Sequence, residues 1–130
     1  MIGLDTNVVL RLVIDDGGDQ PGRAHALVAK RCTPKQPGYV AAVTMVELAW
    51  VLQSSFERTK AQTIVIFDAI LDLSDVVVEA VIPPALHQWR ASKADFADHV
   101  IALSAATAGY SETATFDKFA AQAPGFIPVP

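Results

Sequence analysis

The chain has 130 residues and a single cysteine, Cys32. No disulfide can form within it, and a reducing compartment is the expectation. Charged residues are scarce, 18% of the chain, and basic ones scarcer still: 10 Lys and Arg stand against 14 Asp and Glu, for a net charge of −4. This argues against a module that holds nucleic acid by bulk charge, since such modules are basic. It does not exclude an enzyme that works on nucleic acid through metal ions. Long apolar runs are missing too. The greasiest segment, residues 63–73, is interrupted by Asp68 and Asp72, which excludes a membrane span there. Asp5 comes too soon for the apolar region of a secretory signal. A soluble, cytoplasmic protein with no membrane partner is expected. No repeat, low-complexity tract or linker divides the chain, and its length suits one domain, residues 1–130.

What is abundant is apolar side chain, 52% of the residues, enough to build a core without staples and to bury further surface against a partner. Residues 1–4 read as a short buried strand. Helices are predicted over about 7–14 and 21–31, the second with Pro21 in its first turn and Asp19 or Gln20 as its cap. Residues 39–42 read as a strand. A helix opens at Thr44 and reaches Ser54 or Phe56, and another covers 57–73. The β-branched run 76–79 is a strand. Helices over 81–92 and 96–110, a strand over 112–116, a short helix over 117–123 and a last strand at 126–127 complete the order. This alternation predicts an α/β protein, a three-layer α/β/α sandwich with a central, mainly parallel sheet. The helix from Thr44 is apolar almost all round, which predicts burial on more than one side.

In a parallel sheet, ligands bind beyond the carboxyl ends of the strands. Asp5 ends the first strand, and Asp117 follows the strand at 112–116. Glu47 falls in the first turn of the helix leaving the second strand. The helix holding Asp98 must run back to the start of a later strand, so its first turn, with Asp95 nearby, lies at the same edge. Asp5, Glu47, Asp98 and Asp117 are thereby expected to converge. Clustered carboxylates repel one another unless a cation joins them. An all-oxygen set of this kind suits Mg²⁺ or Mn²⁺, and no His/Cys cluster suggests zinc. Each acid also has an ordinary structural explanation. Thr44-x-x-Glu47 has the form of a capping box. Asp95 and Asp98 have the form of an N-cap with an acid in the first turn, and Asp117 of a cap on the last helix. Asp5 is the hardest to explain this way, because a buried strand end needs no acid. His99, beside Asp98, is a weaker candidate for proton transfer, with a structural role as the ordinary expectation.

Four segments, Ile2-Gly3-Leu4-Asp5-Thr6-Asn7, Thr44-Met45-Val46-Glu47-Leu48-Ala49-Trp50-Val51-Leu52, Ala94-Asp95-Phe96-Ala97-Asp98 and Thr115-Phe116-Asp117, closely resemble the PIN-domain family. They do so in order and across the whole chain, and within the family the chain looks like the VapC-type toxins of bacterial toxin–antitoxin pairs. The resemblance implies a Mg²⁺- or Mn²⁺-dependent endoribonuclease that hydrolyses RNA phosphodiester bonds. It implies that Asp5, Glu47, Asp98 and Asp117 form the catalytic, metal-holding quartet. Asp95 matches a further acid, and Thr6, Asn7 and Thr115 match polar neighbours that order the site. A homodimer and a cognate antitoxin protein that blocks the site are implied as partners. His99 and Val100 depart from the small residue and Leu or Ile frequent at those positions. The alternative is a catalytically inactive module of the same fold acting through protein–protein contacts, which the apolar helix from Thr44 would serve. A phosphoacceptor receiver domain is disfavoured, because the strand at 76–79 ends at Glu79 and no Lys follows Ile127.

Overall fold

Six α-helices and four strands of three residues each make up the chain, in a computed structural model that describes residues 1–130. The architecture is mixed α/β, and every strand pairing is parallel. Two compact units divide it, Met1–Glu79 and Ala80–Pro130. No helix is long and apolar enough to cross a membrane.

The first unit comprises α1 (Thr6–Val13), α2 (Gln20–Arg31), β1 (Gly38–Val40), α3 (Ala42–Ser54), α4 (Lys60–Leu71) and β2 (Val76–Val78). β1 and β2 pair with Tyr39 opposite Val77, and Gly3 forms an isolated parallel bridge to Tyr39. The expected strand over residues 1–4 is reduced to this bridge. Its hydrogen bonds run from Leu4 N–H to Tyr39 O (2.8 Å) and from Tyr39 N–H to Ile2 O (2.9 Å). The chain turns into α1 at Asp5, which leaves too few residues for a longer ladder. At Gly38 a Cβ would stand 2.9 Å from Leu4 Cδ1 and 3.0 Å from Cys32 Sγ, so glycine lets both side chains close over the start of β1. Val9, Val40, Met45, Leu48, Leu52, Phe67 and Ile70 are wholly buried here.

Two helix starts in this unit differ from expectation. α3 begins at Ala42, two residues before Thr44. α4 begins at Lys60 instead of Glu57: Glu57 has a left-handed φ of 52°, through which a helix cannot run. The capping box of the region is Thr59 with Gln62. Thr59 Oγ1 accepts from Gln62 N–H (3.1 Å), and Gln62 Oε1 accepts from Thr59 N–H (2.9 Å). The apolar character of α3 also resolves differently. Ala42, Met45, Leu48, Ala49 and Leu52 form one buried face, whereas Val43 and Trp50 remain 73% and 67% exposed. The helix is thus buried on one side only, with an apolar outer stripe.

The second unit comprises α5 (Ile82–Arg90), α6 (Phe96–Thr107), β3 (Thr113–Thr115), a 3₁₀ turn (Ala120–Gln122) and β4 (Phe126–Pro128). The predicted last helix shrinks to that single 3₁₀ turn, and α6 stops at Thr107, before Gly109 takes a φ of 97°. Trp89 packs on Phe96 with ring centroids 5.3 Å apart, and Ile82, Ala85 and Leu86 complete that core. β3 and β4 pair in parallel, Ala114 opposite Ile127. Gly125, with φ 82°, starts the return strand beside α6: a Cβ there would lie 3.3 Å from Ala102 Cβ.

Candidate metal-binding acids

Asp5 ends the segment bridged to β1 and takes extended geometry (φ −84°, ψ 175°), which makes it the N-cap of α1. Its Oδ1 accepts from Val8 N–H at 3.2 Å, and the residue is exposed. The acid therefore does have a structural role, and it does not lie at a buried strand end. Thr6 is the first helical residue and half-buried. Asn7 Nδ2 donates to Gln20 Oε1 (3.4 Å), and Arg11 Nε donates to the same oxygen (3.0 Å), tying α1 to the start of α2. Arg11 also pairs with Asp16 at 2.6 Å. Asp16 accepts from Gly18 N–H as well, and these two partners, the backbone donor first, hold its carboxyl below the usual aspartate range.

Glu47 lies in the second turn of α3, not the first. It makes no cap: Ala41 is the N-cap residue, with no side-chain hydrogen bond, and Thr44 already sits inside the helix. The capping-box expectation for Thr44 and Glu47 is thus overturned, because the helix starts earlier than the sequence signal. Glu47 is exposed. It lies on the same face as Val43, four residues before it, and Trp50, three residues after it, and makes no hydrogen bond or ion pair.

The acceptor at the start of α3 comes from a distant residue. Glu79 Oε1, just after β2, accepts from Ala42 N–H (3.3 Å) and from the Tyr39 hydroxyl (3.0 Å). That hydroxyl's bond to the Glu79 carboxylate raises the Tyr39 pKa. Glu79 also donates its own N–H to Val40 O at 2.9 Å, so it ties β1, β2 and α3 at one point. Sequence reasoning missed this role. The only local signal was an acid directly after a strand; the pairing of 79 with 42 is tertiary.

In the second unit, Asp95 is the extended N-cap of α6, and Asp95 and Asp98 form a reciprocal capping box. Asp98 Oδ2 accepts from Asp95 N–H at 3.0 Å. Here the expected cap is the one found. Asp117 Oδ1 accepts from both Phe119 N–H and Ala120 N–H at 2.8 Å, opening the 3₁₀ turn. Thr115 Oγ1 accepts from Asp117 N–H at 3.0 Å, which orders the segment that carries the acid. His99 is fully buried, with Nδ1 3.2 Å from Gln88 Oε1. This places it in the interior of α6's packing, as the structural expectation had it.

The donor chemistry fits a hard cation. Asp5, Asp98 and Asp117 each engage one carboxylate oxygen in local hydrogen bonds, leaving the other uncommitted, and Glu47 has both free. The donors are all oxygen, as Mg²⁺ and Mn²⁺ prefer. The acids brought into direct contact are Asp95 and Asp98. No group of three or more His, Cys, Asp or Glu side chains is placed to hold an ion. A scan against protein-family models finds no match, and a search of curated proteins finds none either.

Proposed function

We propose that the chain is a Mg²⁺- or Mn²⁺-dependent endoribonuclease of the PIN-domain type, the toxin of a toxin–antitoxin pair, folded as a three-layer α/β/α sandwich on a mainly parallel sheet. The observation that carries this reading is the division of labour within each carboxylate. Asp5, Asp98 and Asp117 each spend one oxygen on a helix or turn start. The backbone thus holds the side chain, while the second oxygen makes no hydrogen bond within the protein. Glu47 is the acid with no structural work at all. Asp5, Glu47, Asp98 and Asp117 would hold the metal, with Asp95 and Thr115 positioning two of them. When bound, such an ion supplies a strong local charge for a phosphodiester and a more acidic water. The exposure of Asp5, Glu47 and Asp117 suits a substrate that is a long chain. Attack by water, with no part for the ribose 2′-hydroxyl, leaves 5′-phosphate and 3′-hydroxyl ends.

The exposed apolar stripe of α3, with Val65 on α4 at 67% exposure, supports a protein partner, either an antitoxin or a second copy of the chain. It equally favours the alternative, an inactive binding module of this fold. Purified protein on single-stranded RNA separates the two. Cleavage is expected with Mg²⁺ or Mn²⁺, and not with EDTA or in Asp5→Asn. Equal RNA loss under all three conditions refutes the enzymatic reading, and absence of Mn²⁺ binding by calorimetry favours the module.

A further inference from the structure

Two neighbouring cavities lie in the second unit, and Asp117 lines one of them. One, of about 450 Å³, is lined by Thr115, Phe116, Asp117 and Lys118, and Gln122 closes it. The other, of about 460 Å³, is lined by His87, Gln88, Lys93 and Phe119, and again by Gln122. Gln122 is their shared wall. We propose that the second cavity is a nucleotide subsite that takes one residue of a single-stranded RNA, its base against Phe119 and its phosphate toward Lys93. The proposal deepens the ribonuclease reading and rests on it for the identity of the polymer.

Size, charge and surface chemistry converge on this ligand. The volume lies in the range of small-ligand sites, roughly 300–1,000 Å³. No carboxylate lines the cavity; its charged side chain is Lys93, with His87 beside it. On a chain of net charge −4, an acid-free cationic recess is where a phosphate meets least repulsion. Lys93 makes no ion pair, so its charge is available. Phe119 is 53% exposed although it adjoins the buried Ala120. Its backbone N–H is held by Asp117 Oδ1 at 2.8 Å, which orders the main chain that carries the ring, and the exposed ring offers a surface for base stacking. Gln88 is anchored through Oε1 to the buried His99, so its side-chain amide is set in the cavity wall, where an amide can read a base edge. The run Phe116-Asp117-Lys118-Phe119 places the candidate ligand Asp117 in the adjoining cavity, two residues from the platform. A base seated on Phe119 therefore brings a neighbouring phosphodiester toward Asp117.

The test is anisotropy of fluorescein-labelled single-stranded RNA hexamers, oligouridylate and oligoadenylate, with the full chain in EDTA so that no metal-dependent cleavage intervenes. Phe119→Leu is expected to bind about tenfold more weakly, the loss of one stacked base. Lys93→Gln is expected to reduce the slope of log affinity against log salt by about 0.7, one phosphate contact on a single strand. Lys93 is exposed and outside the core, so that variant reports even if Phe119→Leu unfolds. Wild-type protein that binds neither hexamer, or variants that match it in affinity and slope, overturn the subsite. RNA that is cut normally while both variants bind as wild type removes the subsite and leaves the enzyme. Binding that depends on Phe119 and Lys93, with no cleavage in Mg²⁺ or Mn²⁺, leaves the subsite and removes the enzyme.

Discussion

Asp5 is asked to do two things, and substitution can separate them. As the N-cap of α1 it accepts one hydrogen bond, from Val8 N–H at 3.2 Å. Asparagine caps about as well as aspartate, whereas alanine at an N-cap costs about 1 kcal/mol, within a range of roughly 0.5–2. The bond is long and the residue exposed, so the lower half of that range applies to Asp5→Ala. In EDTA, Asp5→Asn should unfold in urea within a few tenths of a kcal/mol of wild type, the residue of a lost charge at a helix start. With a urea slope of about 2 kcal/mol/M, Asp5→Ala should shift the midpoint down by about 0.5 M. Mn²⁺ then reports the second role. An ion at a hundredfold excess over its dissociation constant stabilises the folded state by about 2.7 kcal/mol. Both variants should lose most of that gain, Asn included, although its cap is intact. The assay is urea unfolding followed by circular dichroism, with and without Mn²⁺. If Asp5→Asn falls as far as Asp5→Ala in EDTA, the cap does not act through Val8. If Asp5→Asn keeps the full Mn²⁺ stabilisation, Asp5 is not a ligand.

Two further outcomes follow from the helix starts. Thr44→Ala should change stability by less than about 0.5 kcal/mol, because Thr44 caps nothing, whereas Thr59→Ala should cost about 1 kcal/mol by removing half of a working capping box; paired urea curves decide this. At high pH the Tyr39 hydroxyl, which donates to Glu79 and whose pKa is raised, favours the folded state in its neutral form. That contribution is present below the ordinary tyrosine pKa and is lost as pH rises through the raised value. In Glu79→Gln the Tyr39 transition, followed by NMR of the ring carbons, should move to lower pH; an unmoved transition means that the carboxylate is not what holds the hydroxyl.

Helices were legible in the sequence where the apolar spacing and the local stop signals agree. α2, α5 and α6 fall within a few residues of their expected spans, because Pro21, Pro83-Pro84, Asp95 and Gly109 act locally. Parallel pairing was legible in the alternation of strands and helices. Starts set by tertiary contact were not. Thr44-x-x-Glu47 and Thr59-x-x-Gln62 carry the same signal, yet only the second is used. The first is bypassed because Glu79 supplies an acceptor to Ala42 two residues earlier, and nothing near Thr44 encodes that. The run 1–4 had the composition of a strand, but a strand needs a partner along its length, and only Gly3 finds one. The outer face of α3 misled in the same manner: periodicity cannot say whether Val43 and Trp50 meet a neighbour.

The same distinction decides which acid tests the proposed function most sharply. Asp5, Asp98 and Asp117 sit at helix or turn starts, where aspartate is favoured with or without a metal, so their presence was legible and their purpose was not. Glu47 is different once its capping explanation is removed. It stands exposed in a helix interior, unbonded, between two exposed apolar residues. The ordinary reason left for it is solvation of that face, which a glutamine or a lysine serves equally. Glu47→Gln and Glu47→Lys should therefore both unfold within about 0.5 kcal/mol of wild type in EDTA. If Glu47 is a ligand, Glu47→Gln should weaken Mn²⁺ binding at least tenfold by calorimetry, and Glu47→Lys should abolish it, each with no change in fold. If both variants bind Mn²⁺ as wild type does, Glu47 only solvates α3, and the proposed quartet loses the member that had no other work to do.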